Sequence, residues 1–498
     1  MAYISPLAAF ASTVQSQTYE LHELGRVSSL VAVTNFYYYE NAAGDANFMT
    51  TRLLEDSFAL VLCEYPLLAG TLRESRLGRY TVAVDRDSLN LPEFKVTECD
   101  TDFAQLKASQ YAPSALPEGA ATVGSYIIHS RKKPAKLARV HIMRCKDNSG
   151  VAMFVAISHA LVDATSLGQV MRRWVEHYKH LAGNGAASTT PGAPLAFGCG
   201  LMDGYIQQAA PPAGAFIRHR FIPGGPKSKL TNMLSLATQM KLHRRRRAET
   251  RDMSSHFYFV AKDTMNAMRC QIRESVPEDQ SVSNNDVLTA LVSVAVAHSL
   301  PGAARGDAPA GALQRAKAAV AKTLGLPPPE SFVHMGTADV RPRLRIPAAA
   351  DYCGSAVLAY TAHTPVAVLR GPVTSAMAQA ATAARRGTDS VDRGYIHAYA
   401  EELAAAPDAC LRPFIYGSKR PMYMPVTNHA RAGHYDADFG WGVPTWVNAL
   451  EEAMCATCFV YPAHPSRNGA VVHLMLPRDI HDRMRQLPLW KEKVEFIR

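Results

Sequence analysis

Apolar positions along the chain switch repeatedly between helical and strand spacing. Leu53–Leu72 carries apolar residues at helical spacing over its first half, which predicts an amphipathic helix ending near Tyr65 and Pro66. Gly78–Val84 and Leu137–Cys145 alternate as half-buried strands do. Lys146–Gly150 has the Asp, Asn and Gly of a hairpin turn. Val151–Ser158 is almost continuously apolar, the pattern of a strand inside a sheet, and Thr165–His180 returns to helical spacing. Tyr37, Tyr38 and Tyr39 are expected to alternate across a strand.

Residues 181–228 break this rhythm with Gly and Pro clusters such as Pro211-Pro212 and Pro223–Pro226. The expected organisation is therefore an N-terminal domain over 1–200, a crossover linker over 201–250 and a C-terminal domain over 251–498. In the second half, Ser283–Asp286 supplies N-cap chemistry for an apolar helix over Val287–Ala297. Ala303–Ala321, rich in Ala, Gly and Pro, reads as a surface insertion. Thr337–Arg345 is expected to be a strand, and Ala456–Pro462 with Val471–Leu476 a late strand pair. Pro477 is expected to start a final helix, with Asp479 and Asp482 near its positive end.

Composition narrows the class. Of 498 residues, 48% are hydrophobic and only 19% charged, so the chain can bury a large core and is not a disordered one. Nine Cys are too few for a disulfide scaffold and suit reduced thiols, so a cytoplasmic location is expected. The longest apolar run, Leu288–Leu300, contains Ser293 and His298 and is too short to cross a membrane. The first residues lack the basic start and apolar run of a secretory signal. The net charge of +10 admits nucleic acid, a membrane surface or a small polyanion. Most of it is dispersed, apart from the run Lys241–Arg247. No aromatic residue interleaves there, which argues against base stacking and a nucleic-acid partner.

Two strings carry candidate chemistry. In Ser158-His159-Ala160-Leu161-Val162-Asp163 a His stands where a buried strand ends, with an Asp four residues on. An imidazole titrates near pH 6.5, so it can take a proton at neutral pH and return it. In Asp438-Phe439-Gly440-Trp441-Gly442 two Gly flank a Trp; taken alone, this is a tight turn with a packed ring. Each string is weak singly, since most of the 18 His pack or solvate. Other chemistries lack their signatures. There is no G-x-S-x-G and no P-loop, and Gly198, Gly200 and Gly204 miss the dinucleotide spacing by one residue. Cys455 and Cys458 form a lone C-x-x-C that reads as packed thiols, and no metal site is expected.

Taken together, HxxxD at 159–163 and DFGWG at 438–442, in that order and 279 residues apart, resemble the BAHD acyltransferases, in particular a fungal, trichothecene O-acetyltransferase-like branch. Ala338–Leu344 with Tyr352–Ala356 is similar to the family's NVRxRL…YFGNA region, and Ser283–Leu288 to its STNDAL helix start. The resemblance spans nearly the whole chain. Two departures stand out: Ala164 replaces the usual Gly after the motif Asp, and Ser355 follows Gly354 in place of Asn.

The resemblance implies an α/β fold of two similar chloramphenicol-acetyltransferase-like domains, with mixed sheets and an active-site channel between them. It implies a monomer using acyl-coenzyme A, acetyl-coenzyme A by default, to acylate the hydroxyl of a small molecule such as a secondary metabolite. His159 would be the general base and Asp163 would orient its loop and ring or pair with a basic group. Asp438 would form a structural ion pair with Arg341. Gly440, Trp441 and Gly442 would shape the second half beside the coenzyme tunnel. Arg244, Arg245, Arg246 and Arg247 are candidates for holding the coenzyme's phosphate. Two rival readings are a condensation-type transferase using a carrier-protein thioester, which Ser158 in place of a second His argues against, and a non-catalytic small-molecule-binding relative, for which Ala164 is the one hint.

Overall fold

The computed structural model describes residues 6–26, 31–74, 80–120, 134–183, 192–208, 252–301, 331–347, 352–405, 423–451 and 456–498. The Arg244–Arg247 run, the Ala303–Ala321 insertion, Cys455 and most of the expected linker lie outside these residues. Within the linker region, Cys199–Gln207 is helical.

Strands in the first half are β1 (Gln17–Glu20), β2 (Ala32–Glu40), β3 (Thr71–Glu74), β4 (Tyr80–Val84), β5 (Glu93–Glu98), β6 (Ala138–Arg144) and β7 (Gly150–Ser158). Those of the second are β8 (Met253–Ala261), β9 (Ser331–Asp339), β10 (Val357–Pro365), β11 (Tyr423–Asn428), β12 (Trp446–Asn448), β13 (Thr457–Pro462), β14 (Gly469–Pro477) and β15 (Glu495–Phe496). Two mixed sheets organise the molecule, in the orders β12-β2-β7-β6-β5 and β10-β9-β11-β13-β14-β8-β15; a smaller sheet runs β1-β4-β3. The mixed α/β architecture expected from the motifs is what forms.

Local expectations mostly match. The first amphipathic helix is Thr51–Glu64, the helix after β7 is Ala164–Ala182, and the apolar helix Asn284–Ser299 starts in a capping box between Ser283 and Asp286. Lys146–Ser149 turns between β6 and β7 with Asp147 and Asn148 at positive φ, which these residue types tolerate. One expectation fails: Thr337–Arg345 is not one strand. β9 ends at Asp339, and Arg341–Leu344 is a helical turn with Pro342 in its first positions, where a missing N–H costs nothing. Pro477 caps the helix Arg478–Met484, but Asp482 lies past its first turn and a further helix, Pro488–Lys493, follows.

The tyrosine triplet shows how the halves meet. Tyr37 and Tyr39 pack with the first half's helices, whereas Phe36 and Tyr38 on the opposite face join Phe257, Phe259, Tyr461 and Val471 of the second half in a shared core. The alternation of strand side chains thus gives one sheet two buried faces. A short crossing completes the join. β12 pairs antiparallel with β2, Trp446 opposite Tyr38, and so adds a second-half strand to the first half's sheet.

Candidate active site

β7 is buried along its whole length, and its pairing with β2 ends at Ser158 opposite Ala32. The chain then bends: His159 N–H bonds Val31 O at 2.8 Å, and the N–H groups of Leu161 and Val162 return to Ser158 O at 2.9 and 3.2 Å. Tyr65 Oη donates to Leu161 O at 2.8 Å. A Cβ on Gly25 would stand 2.6 Å from Ala160 O, so only Gly lets that segment close over the bend. The imidazole is therefore carried on a tight, doubly pinned turn.

Burial lowers the His159 pKa below 6.5, with its own main-chain carbonyl and the charge of Asp163 pulling the other way. The ring is neutral at pH 7. Its Nδ1 is sealed from solvent and makes no well-formed hydrogen bond to another group.

Asp163 caps the following helix, accepting from Ser166 N–H at 2.8 Å. Arg341 reaches both of its oxygens, Nη1 to Oδ2 at 2.8 Å and Nη2 to Oδ1 at 3.2 Å, and Ala356 N–H adds a bond at 2.8 Å. Burial alone would raise this carboxyl; the charge and bonds of Arg341, with the two N–H groups, outweigh it and hold the pKa below its ordinary value. Arg341 spends its other donors on Asp339, Ser166, and the carbonyls of Tyr352 and Gly354. Ser166 Oγ in turn donates to Gly354 O and accepts Gly354 N–H at 2.9 Å. The arginine motif and the Tyr352–Ala356 segment of the second half are thus clamped onto the first half's HxxxD loop.

This corrects the pairing implied by the resemblance. The partner of Arg341 is Asp163, not Asp438, because Asp163 is fully buried beside it. Asp163 has both oxygens engaged elsewhere and acts on the imidazole only through its charge. Asp438 instead folds back on its own turn, its Oδ1 accepting from Gly440 and Gly442 N–H at 2.8 and 2.9 Å. Both glycines have φ of 95°. Its remaining ion pair is a half-exposed contact with Lys179 at 3.5 Å.

The DFGWG turn packs against the first half. Phe439 lies edge-on to Trp174 and Tyr178, and Trp441 edge-on to Phe48, all first-half residues. Tyr39 Oη donates to Ala437 O at 2.8 Å. The turn fastens the second half to the outer core of the first. Ala164, the departure from the family pattern, opens a helix, where Ala carries no backbone cost. A small, partly open pocket lies beside the bend, with Ala160 and Leu161 on one wall and Tyr352–Ser355 on another. Among the described residues no group of His, Cys, Asp or Glu is placed to hold a metal ion. No helix among them is long and apolar enough to cross a membrane.

Sequence reasoning did not single out one further buried His at a strand end. His429 follows β11 as His159 follows β7, and the charge of His159 helps lower its pKa. Its signal, a His at the end of a strand, was present in the sequence, but that strand lies among short elements with no clear period.

Comparison with known proteins now has a geometry to stand on. A model of the Transferase family matches residues 7–191 and 315–493. Hydroxycinnamoyltransferase 1 of Oryza sativa subsp. japonica is 28% identical over 165 residues, covering 33% of this chain and 36% of that protein. The match thus spans about a third of the relative's length. The structure of F. sporotrichioides TRI101 complexed with coenzyme A and T-2 is similar at a TM-score of 0.65 and 13% identity, covering 97% of this chain and 100% of that one. Vinorine synthase is similar at a TM-score of 0.57 and 15% identity, covering 97% and 95%. At these identities the likeness is one of fold: two domains with mixed sheets. The chain belongs to the Transferase family, the BAHD-type acyltransferases.

Proposed function

We propose that this protein is an acyl-coenzyme A-dependent O-acyltransferase in which His159 is the general base. The observation that carries the reading is a neutral imidazole on a pinned turn at the junction of the two halves, with the adjoining Asp163 committed to Arg341. The family membership and the coenzyme A bound in the TRI101 structure support the choice of donor.

Nε2 of His159 takes the proton of an acceptor hydroxyl as its oxygen bonds to the thioester carbonyl carbon. The tetrahedral oxyanion collapses, the C–S bond breaks, and the imidazolium returns the proton to the departing thiolate. The products are an ester and free coenzyme A, and His159 is regenerated without an acyl-enzyme. Holding both substrates between two sheets removes much of the entropic cost of their meeting. We take an acetyl group and a small hydroxylated metabolite of the trichothecene type as the first substrates to try, because TRI101 shares the fold over nearly the whole chain. The enzyme would work as two domains, 1–200 and 251–498, joined by 201–250.

Thiol release from acetyl-coenzyme A, measured over a panel of hydroxylated acceptors, tests the reading. His159→Ala should fold as the parent does and lose about 10²–10⁴ in rate, the usual worth of a placed general base. A folded His159→Ala variant with full turnover would reject it.

A further inference from the structure

The small pocket beside the bend lies where three stretches of chain meet: the first half at Glu20 and His22, the connecting segment at Phe197 and Cys199, and the second half at Tyr352–Ser355. Ala160 and Leu161 form part of its wall, but His159 does not line it. Hydrogen bonds fix its frame. Leu24 N–H bonds His22 Nδ1 at 3.1 Å, so the His22 proton is on Nε2, which faces Asp203 Oδ1 at 3.1 Å. Cys199 Sγ donates to the other oxygen, Asp203 Oδ2, at 3.1 Å. Burial, that bond and the charges of Asp203 and Glu20 push the Cys199 thiol up to about 12, so it stays protonated. Cys353 N–H bonds Ala196 O at 2.6 Å, which ties the connecting segment to the second half.

Two polar groups lining this frame are open to a ligand. Ser355 is 3% exposed, and its Oγ, sealed from solvent, has no hydrogen-bond partner. A buried hydroxyl gains by finding one. Glu20 is exposed, so it stands on the open side, and no Lys or Arg lines the pocket. The other walls are mainly apolar and aromatic, with Leu67 and Leu161 beside Tyr65 and Phe197, whose rings meet edge-on at 4.9 Å. Aromatic faces attract a cation. The Arg341 guanidinium, 5.7 Å from the Tyr352 ring centroid, does not oppose one, because Asp163 and Asp339 neutralise it.

We propose that this pocket binds a short amino alcohol, with its ammonium group at Glu20, its hydroxyl on Ser355 Oγ and its carbon stem against the rings of Tyr65 and Phe197. The carboxylate selects a cation, and the buried hydroxyl selects a group that can both give and take a hydrogen bond. An anionic ligand would meet Glu20 with like charge, and a plain alkylammonium would leave Ser355 unpaired. The pocket's small size admits only a short stem. Bound there, the ligand touches both halves and the segment between them, and so holds them together. The site is separate from His159 and does not depend on the acyltransferase reading.

The test titrates the full chain with ethanolammonium chloride, using sodium chloride at the same concentration as the control, and reads dissociation constants and melting temperature. Saturable binding is expected, with a rise in melting temperature by mass action. A ligand this small should bind no more tightly than about 0.04 mM. Ethylammonium, lacking the hydroxyl, and n-propanol, lacking the charge, should each bind at least about fivefold more weakly, the worth of one hydrogen bond. Ser355→Ala should erase the difference between ethanolammonium and ethylammonium. Glu20→Gln should weaken both by about two- to fivefold, as for a partly exposed ion pair. No saturable effect beyond that of sodium chloride overturns the inference. Equal affinity for the three probes overturns it as unspecific, and affinities unchanged in either variant overturn it by placing the ligand elsewhere. If Ser355→Ala does not fold, the comparison of ethanolammonium with ethylammonium in the unmodified chain decides.

Discussion

The two aspartates of the signature motifs have opposite circumstances. Asp163 is 1% exposed, and beyond the Ser166 N–H of its own helix its partners Arg341 and Ala356 come from the far half of the chain. Asp438 is about one-third exposed and binds mainly its own turn. The more distinctive string, DFGWG, packs the second half onto the first, while the plainer HxxxD string carries the base of the proposed mechanism. A motif's specificity in sequence measures how narrowly its backbone is constrained. What a carboxylate does depends on how much water it has lost and on which charge replaces that water.

The comparison can be broken first by pH. Turnover should fall about tenfold per pH unit once His159 is protonated. Because burial depresses that pKa, the acid limb of kcat/KM should lie below pH 6.5. An acid limb above the ordinary imidazole value would contradict the half-buried, neutral base. Asp163 has a depressed pKa as well, so its contribution to stability is complete above the ordinary carboxylate range and is lost as pH falls through the lowered folded value.

Arg341→Ala should have the largest effect on stability. It strands a buried carboxylate, which costs about 3–5 kcal/mol, read as a lowered denaturant midpoint. Gly168→Ala comes next. The added methyl must displace Ala432, at about 1–3 kcal/mol for overpacking. Asp438→Ala should cost about 1 kcal/mol, in the range of a lost cap, with the chemistry retained if the turn is only a fastening. Lys179→Ala should change stability by less than about 1 kcal/mol, as exposed ion pairs do. Equal losses for Arg341→Ala and Asp438→Ala would erase the distinction drawn between the two aspartates.

Much of the scaffold was legible because its signals are local. The helix Ala164–Ala182, the strand β7 and the Ser283 capping box follow from spacing and cap chemistry within a few residues. The misread stretch Thr337–Arg345 held its own correction in Pro342, which favours a helix start over a strand interior. His159 was legible as the candidate base from its place after a buried strand and from the family resemblance.

Sequence alone determined most element types, the family and the imidazole at the end of β7, since periodicity, capping and motif order are properties of neighbouring residues. Only tertiary structure decided that Arg341 serves Asp163 and that Trp446–Asn448 crosses to pair with Phe36–Tyr38. These contacts join residues far apart in the chain. A guanidinium with several carboxylates within the chain's reach, or a three-residue strand with two sheets to choose from, carries no local mark of its partner. The choice falls to whichever arrangement leaves the fewest buried polar groups unpaired.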